Sequence, residues 1–204
     1  NSTGVANTAI GYRSLYSNTT GSYNTALSRQ ALYSNTTADS NTAVGSNAMY
    51  ENTTGANNTS LGRGALTANT TASNNTAIGS YALTANTTGH SNTAVGNDCM
   101  DSNTTGSGNT AVGLDALQAN TTASDNTAFG YHTLFANTTG TLNVAVGYQA
   151  LLSTVDQNYQ TAVGDRALQS ATGGDNTALG GLAGFNITSG ASNLLIGRNA
   201  GRSS

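Results

Sequence analysis

The sequence predicts an all-β chain, wound as one parallel β-solenoid (a β-roll or β-helix) of twelve coils of about 17 residues each. Three observations predict it. The phrase N-T-A-(V/I/L)-G returns at a nearly constant 17-residue spacing. Within it, residue character alternates with the period of two that a short strand requires. Between copies stands N-T-T-(G/A), a tract with the chemistry of a turn: asparagine bonds its own backbone and tolerates positive φ, and a small residue follows.

The repeat starts at Asn7, Asn24, Asn41, Asn58, Asn75, Asn92, Asn109, Asn126 and Asn143, with altered copies at Gln160, Asn176 and Asn193. Starts lie 17 residues apart except from 160 to 176, where they lie 16 apart. The consensus is N-T-A-V-G-x-x-A-L-x-x-N-T-T-(G/A)-x-x, giving eleven full units and a partial twelfth. The whole of 1–204 reads as a single solenoid: a partial coil over 1–6, regular repeats over 7–175, and degenerate terminal repeats over 176–204.

Position four of the unit is always apolar: Ile10, Leu27, Val44, Leu61, Ile78, Val95, Val112, Phe129, Val146, Val163, Leu179 and Ile196. This row is expected to form the core. Position two is Thr in most units but Val144 and Leu194 in two, so it is expected to face inward with position four. The Ala at position three then faces away, where its small size suits close approach of another surface. Position five is Gly except for Ser28, marking a bend. Position eight is small, and position nine is Leu or Met from Leu15 to Leu168, a second inward row. No single unit can bury its few apolar side chains, but stacked units can. A helical repeat is the alternative architecture, disfavoured because 17 residues rich in Gly, Thr and Asn are poor helix formers.

Composition narrows function. Charged residues are 7% of the 204, Lys, Pro and Trp are absent, and the net charge is −3. Six Arg against nine acidic residues form no basic stripe for nucleic acid. No apolar run is long enough to span a bilayer. No leader is visible, so a mature chain or a fragment is expected. One cysteine, Cys99, gives no internal disulfide framework and stands where most units have Ala, so it reads as a buried small residue.

No catalytic, cofactor-binding or metal site is expected. His90 and His132 fall at different places in the unit without companions at ligand spacing. Gly173, Gly174 and Asp175 are a lone fragment of a calcium-type repeat. Tyr16, Tyr33 and Tyr50 share position ten in three successive units and should stack, either as surface packing or as a strip on which sugar rings stack. Asn18, Asn35, Asn52, Asn69, Asn86, Asn103, Asn120 and Asn137 each begin N-T-T, a pattern that serves either as a turn or as an N-glycosylation acceptor.

The N-T-A-V-G-x-x-A unit resembles the head repeat of trimeric autotransporter adhesins (roughly N-S-V-A-I-G-x-x-S/A) and the N-T-A-I-G-Y repeats of phage-type trimeric tail fibres. The resemblance covers residues 7 to 201. It implies a parallel β-roll with three chains about one axis and the small-residue face turned inward. The adhesin unit is shorter, and the N-T-T turn has no counterpart in it. The expected function is an extracellular fibre or adhesin segment, on a cell surface or virion. Its partners would be copies of itself and, at its surface, host or cell-surface glycans. Ice binding by a Thr-rich solenoid is the alternative, weakened by the lack of a T-x-T pair and by an inward position two. An enzyme, such as a lyase on a β-helix, would need a carboxylate or arginine cluster.

Overall fold

The computed structural model describes residues 2–201, so Asn1 and the last three residues of the terminal segment lie outside the described residues. Twelve three-residue strands follow in chain order: β1 (Thr8–Ile10), β2 (Thr25–Leu27), β3 (Thr42–Val44), β4 (Thr59–Leu61), β5 (Thr76–Ile78), β6 (Thr93–Val95), β7 (Thr110–Val112), β8 (Thr127–Phe129), β9 (Val144–Val146), β10 (Thr161–Val163), β11 (Thr177–Leu179) and β12 (Leu194–Ile196). They form one parallel sheet in the order β1 to β12. Each strand pairs with the same residues one coil away, as Thr76 does with Thr93. The chain is a β-solenoid, with no helix among the described residues.

Coil-to-coil bonding continues around the rest of each coil. Outside the strands, Leu83 N–H donates to Cys99 O (3.0 Å), Ala85 N–H to Asp101 O (3.0 Å) and Thr87 N–H to Thr104 O (3.0 Å). In the other direction Gly79 N–H donates to Leu61 O and Tyr81 N–H to Arg63 O. The backbone therefore satisfies itself along the rod, which a chain with so little apolar bulk requires. Aiming these groups at neighbouring coils needs left-handed backbone: position nine has φ near +50 in the Leu and Met coils, and position seven has positive φ from Arg13 to Asn199. Such conformations are unfavourable for single residues and persist here because they are over-determined by the stack.

Sequence reasoning placed the wrong strand face inside. Position three is the buried one: Ala26, Ala43, Ala77, Ala94, Ala111, Ala128, Ala145, Ala162 and Ala178 are fully buried. The expected core row at position four points outward instead, from Ile10 at 65% exposure to Ile196 at 65%. Its other members, Leu27, Val44, Leu61, Ile78, Val95, Val112, Phe129, Val146, Val163 and Leu179, are half-buried or exposed. Position two faces outward with it, so Val144 and Leu194 are apolar residues on the surface. The reason is width. The facing wall sends Leu or Met inward from position nine, fully buried from Leu32 to Leu168, with a small residue beside it at position eight. Opposite a leucine there is room only for a methyl group.

The terminal coils reveal the same constraint by exchange. Coil twelve has Leu195 where other coils have Ala or, in coil four, Ser60, and coils eleven and twelve have Gly184 and Gly201 where others have Leu or Met. A Cβ on Gly201 would lie 2.6 Å from a methyl of Leu195, and one on Gly184 would lie 2.9 Å from its other methyl. In the last coil the large side chain has changed walls, and the methyls of Leu195 reach the space left at position nine in both terminal coils.

Two asparagine ladders complete the interior. At position one, Oδ1 of each Asn accepts the backbone N–H of the next Asn, as Asn75 accepts from Asn92 (2.9 Å). At position twelve, Nδ2 of each Asn donates to Oδ1 of the Asn one coil earlier, as Asn86 does to Asn69 (3.1 Å). In one coil both side chains also donate to one carbonyl, that of position fifteen: Gly89 O accepts from Asn75 (2.9 Å) and Asn86 (2.9 Å). The pair braces the coil across its interior.

Candidate functional site

The most extensive distinctive surface is the outward face of the sheet. Parallel in-register pairing places the position-two residues in one row and the position-four residues in a second. The first row is Thr except Val144 and Leu194, and the second is wholly apolar. No charged side chain stands in either row. Twelve strands at about 4.8 Å spacing make a strip on the order of 53 Å long, and three residues of strand make it roughly 10 Å wide. Leu61, Phe129, Val144, Val163 and Leu179 along it, and Ile10, Leu194 and Ile196 at its ends, are large exposed apolar side chains. The two rows together make an uncharged surface of roughly 500 Å², about half of it the unbroken apolar row, from the same spacings.

No protein family, curated protein or solved structure matches this chain. Its function must therefore be read from its own surfaces.

The sites expected from the repeat fare differently. Tyr16, Tyr33 and Tyr50 do stack, with ring centroids 5.3 and 5.0 Å apart and planes within 8°. Tyr16 is exposed, while Tyr33 and Tyr50 are half-buried. A second aromatic group joins Tyr131, His132, Phe135 and Tyr148 lower on the rod, where His132 Nε2 also lies 3.0 Å from Asp115 Oδ2. Tyr131 and Tyr148 share position six in successive coils and stack for the same reason as the first three tyrosines, whereas His132 and Phe135 join from positions seven and ten, which spacing alone does not bring together.

The N-T-T asparagines are corrected as sugar acceptors. Asn18, Asn35, Asn52, Asn69, Asn86, Asn103, Asn120 and Asn137 are all buried, at 2% exposure or less. Their Nδ2 groups, the atoms an N-linked sugar would occupy, already donate in the ladder. A sugar there would have to enter the core and displace two hydrogen bonds. The turn reading of the motif is also incomplete, since the side chain bonds a neighbouring coil as well as its own. The signal was present in the sequence: seventeen-residue recurrence of one amide-bearing residue is what an inward ladder produces.

Cys99 is fully buried, and its thiol lies 3.4 Å from Ala111 O. Burial pushes its pKa up to about 12 from 9.0. At pH 8 the native protein is therefore expected to react with a disulfide reagent roughly 1,000-fold more slowly than a free cysteine, because the thiolate is the nucleophile. Titration before and after denaturation checks this, and rapid labelling of folded protein would contradict the burial. Burial likewise raises the carboxyl of Asp101. Among the described residues, no group of three His, Cys, Asp or Glu could hold a metal ion, and no helix is long and apolar enough to cross a membrane.

Proposed function

We propose that this chain is a structural segment of an extracellular fibre or adhesin, which associates with copies of itself through the outward strip and presents its other faces for attachment. The observation that carries the reading is the uncharged two-row strip running the length of the sheet. Burial of such a surface is favoured at about 25 cal/mol per Å².

The width of the strip favours three copies. Met face-on by one partner, roughly 500 Å² falls short of the about 800 Å² per partner of a stable interface. Around a threefold axis the strip faces the axis, and the shoulders on both sides are covered by two neighbours. The one-coil translation of each chain lets like rungs meet at like heights when the chains run parallel, the closed arrangement that cyclic symmetry provides. The small-residue face that the adhesin and tail-fibre resemblance would turn to the axis is buried inside each coil, so the threefold arrangement rests on the strip itself, while a core of buried Asn, Ala and Leu leaves no unique cavity for catalysis inside the coil.

Replacing Val95 and Val112 together with Asp is expected to shift the assembly to monomer in sedimentation velocity. Both side chains are outward and half-buried, so the circular dichroism of the coil should persist. Wild-type protein that stays monomeric at tens of micromolar would sink the proposal.

One observation favours a second reading. Position two faces outward, so Thr and an aliphatic side chain alternate with solvent on a regular sheet, which restores a reason for ice binding that an inward Thr would remove. Phe129, Val144 and Leu194 break the evenness of that face. Thermal hysteresis from the monomeric chain would establish it, and its absence would leave the association reading alone.

A further inference from the structure

We propose that the N-terminal third of the rod carries a binding site for an acidic sugar, a residue bearing a carboxylate or sulfate together with free hydroxyls. The inference rests on the attachment half of the reading above and names its ligand class.

The site is where the repeat breaks on the side of the coil that follows the position-five bend. From coil one to coil three, position ten is Tyr16, Tyr33 and Tyr50; at coils four and five it drops to Thr67 and Thr84. At coil four, position seven is Gly64, whereas Asn47 precedes it and Tyr81 follows it. The two losses of bulk coincide and leave a cleft of about 390 Å³ lined by Arg29, Asn47, Arg63, Thr67, Tyr81 and Thr84, among others. That volume lies in the lower part of the range of small-molecule sites.

Gly64 is not required by its backbone. Its φ of +69 resembles those of Asn47 and Tyr81 at the same position. What a side chain there would meet is the Tyr81 ring, 2.7 Å from an added Cβ. The glycine lets that ring lie over coil four, where the Arg63 guanidinium stands 4.6 Å from its centroid. An aromatic face is thus held at the wall of the cleft.

The polar groups call for an oxyanion and for hydroxyl donors. Arg29 and Arg63 make no ion pair among the described residues, where the one pair is His132 with Asp115. Guanidinium groups bind carboxylate and sulfate in a planar fork. Arg13 stands farther up the same side, at position seven of coil one. Over coils one to four, positions six and seven thus carry three arginines and no acid. Thr67 and Thr84 already donate their hydroxyl protons, to Gly64 O (2.7 Å) and Tyr81 O (2.6 Å), which leaves them as acceptors. Accepting hydroxyl oxygens at Thr67 and Thr84 call for a donor, which a bare anion does not offer and a sugar hydroxyl does.

The test is titration of the protein with 3′-sialyllactose, a heparin-derived disaccharide, lactose and inorganic sulfate, followed by ligand-observed NMR and calorimetry. One or both acidic sugars should bind in a salt-dependent manner, the sialyl probe marking a carboxylate site and the heparin probe a sulfate site. Arg29→Ala and Arg63→Ala should each weaken binding about tenfold, and Gly64→Asn should abolish it by displacing Tyr81. Arg166→Ala, which removes an arginine that lies over Tyr148 far down the rod, should leave it unchanged. Lactose or sulfate binding as tightly as the acidic sugars, failure of both acidic sugars at millimolar concentration, or indifference to all three site variants would each overturn the proposal. None of these substitutions touches the strip, so sedimentation of the same samples reports on self-association independently.

Discussion

Replacing Asn86 with leucine is expected to destabilise the middle of the rod by about 3–4 kcal/mol, despite leucine's greater hydrophobicity. Asn86 Nδ2 donates to Asn69 Oδ1 and to Gly89 O, and its Oδ1 accepts from Asn103 Nδ2 at 2.9 Å. The substitution leaves a buried acceptor on one side and removes a partner from a buried donor on the other. Urea denaturation and loss of hydrogen-exchange protection in the coils around residue 86 would register it, and a change below about 1 kcal/mol, the worth of one ordinary hydrogen bond, would show that the ladder does not hold the fold. The native chain contains the mirror experiment. Asn137 Oδ1 is buried and unpartnered, because the next coil has Thr154 at the donor's place. Thr154→Asn should extend the ladder and gain about 1 kcal/mol.

Gly79→Ala should be at least as damaging, about 3 kcal/mol or more, from strain added to a clash. Gly79 has φ +137, and an added Cβ would lie 2.1 Å from the carbonyl oxygen of Gly96 in the next coil. That neighbour is backbone held in the sheet-side ladder, so it cannot turn aside as a side chain could. Gly181→Ala is the control, since nothing lies within 4 Å of its added Cβ. Equal melting curves for the two variants would refute the argument. Ser28 is the one position-five residue with a side chain, held at φ +106, so Ser28→Gly should stabilise by about 1 kcal/mol.

Much of this architecture was legible in the sequence. The spacing predicted strand number, parallel order and register, because equal coil lengths can align equal residues only one coil apart. The Tyr16, Tyr33 and Tyr50 stack followed from the same logic. The inward face was not legible from hydrophobicity, which favours Ile10 or Val95 over Ala94. Strand alternation fixes which residues share a face, but not which face is inside. The deciding information was the exchange of size between positions three and nine at Leu195 and Gly201, which only residues in contact would make. The cleft at Gly64 was hidden for another reason. It arises where two consensus positions lapse in adjacent coils, and a consensus is built by discarding lapses.

Coil ten has one residue fewer than its neighbours, yet Thr161, Ala162 and Val163 still pair in register with Thr177, Ala178 and Leu179. The missing residue is absorbed in the turn, and the stack above and below does not notice it. Such a body has no intrinsic size. Unequal recombination between near-identical 17-residue modules can lengthen or shorten the chain one storey at a time, each adding about 4.8 Å of reach, without inventing a new core. On the fibre reading proposed above, reach would then be set by the number of modules, while the chemistry of each storey stays fixed.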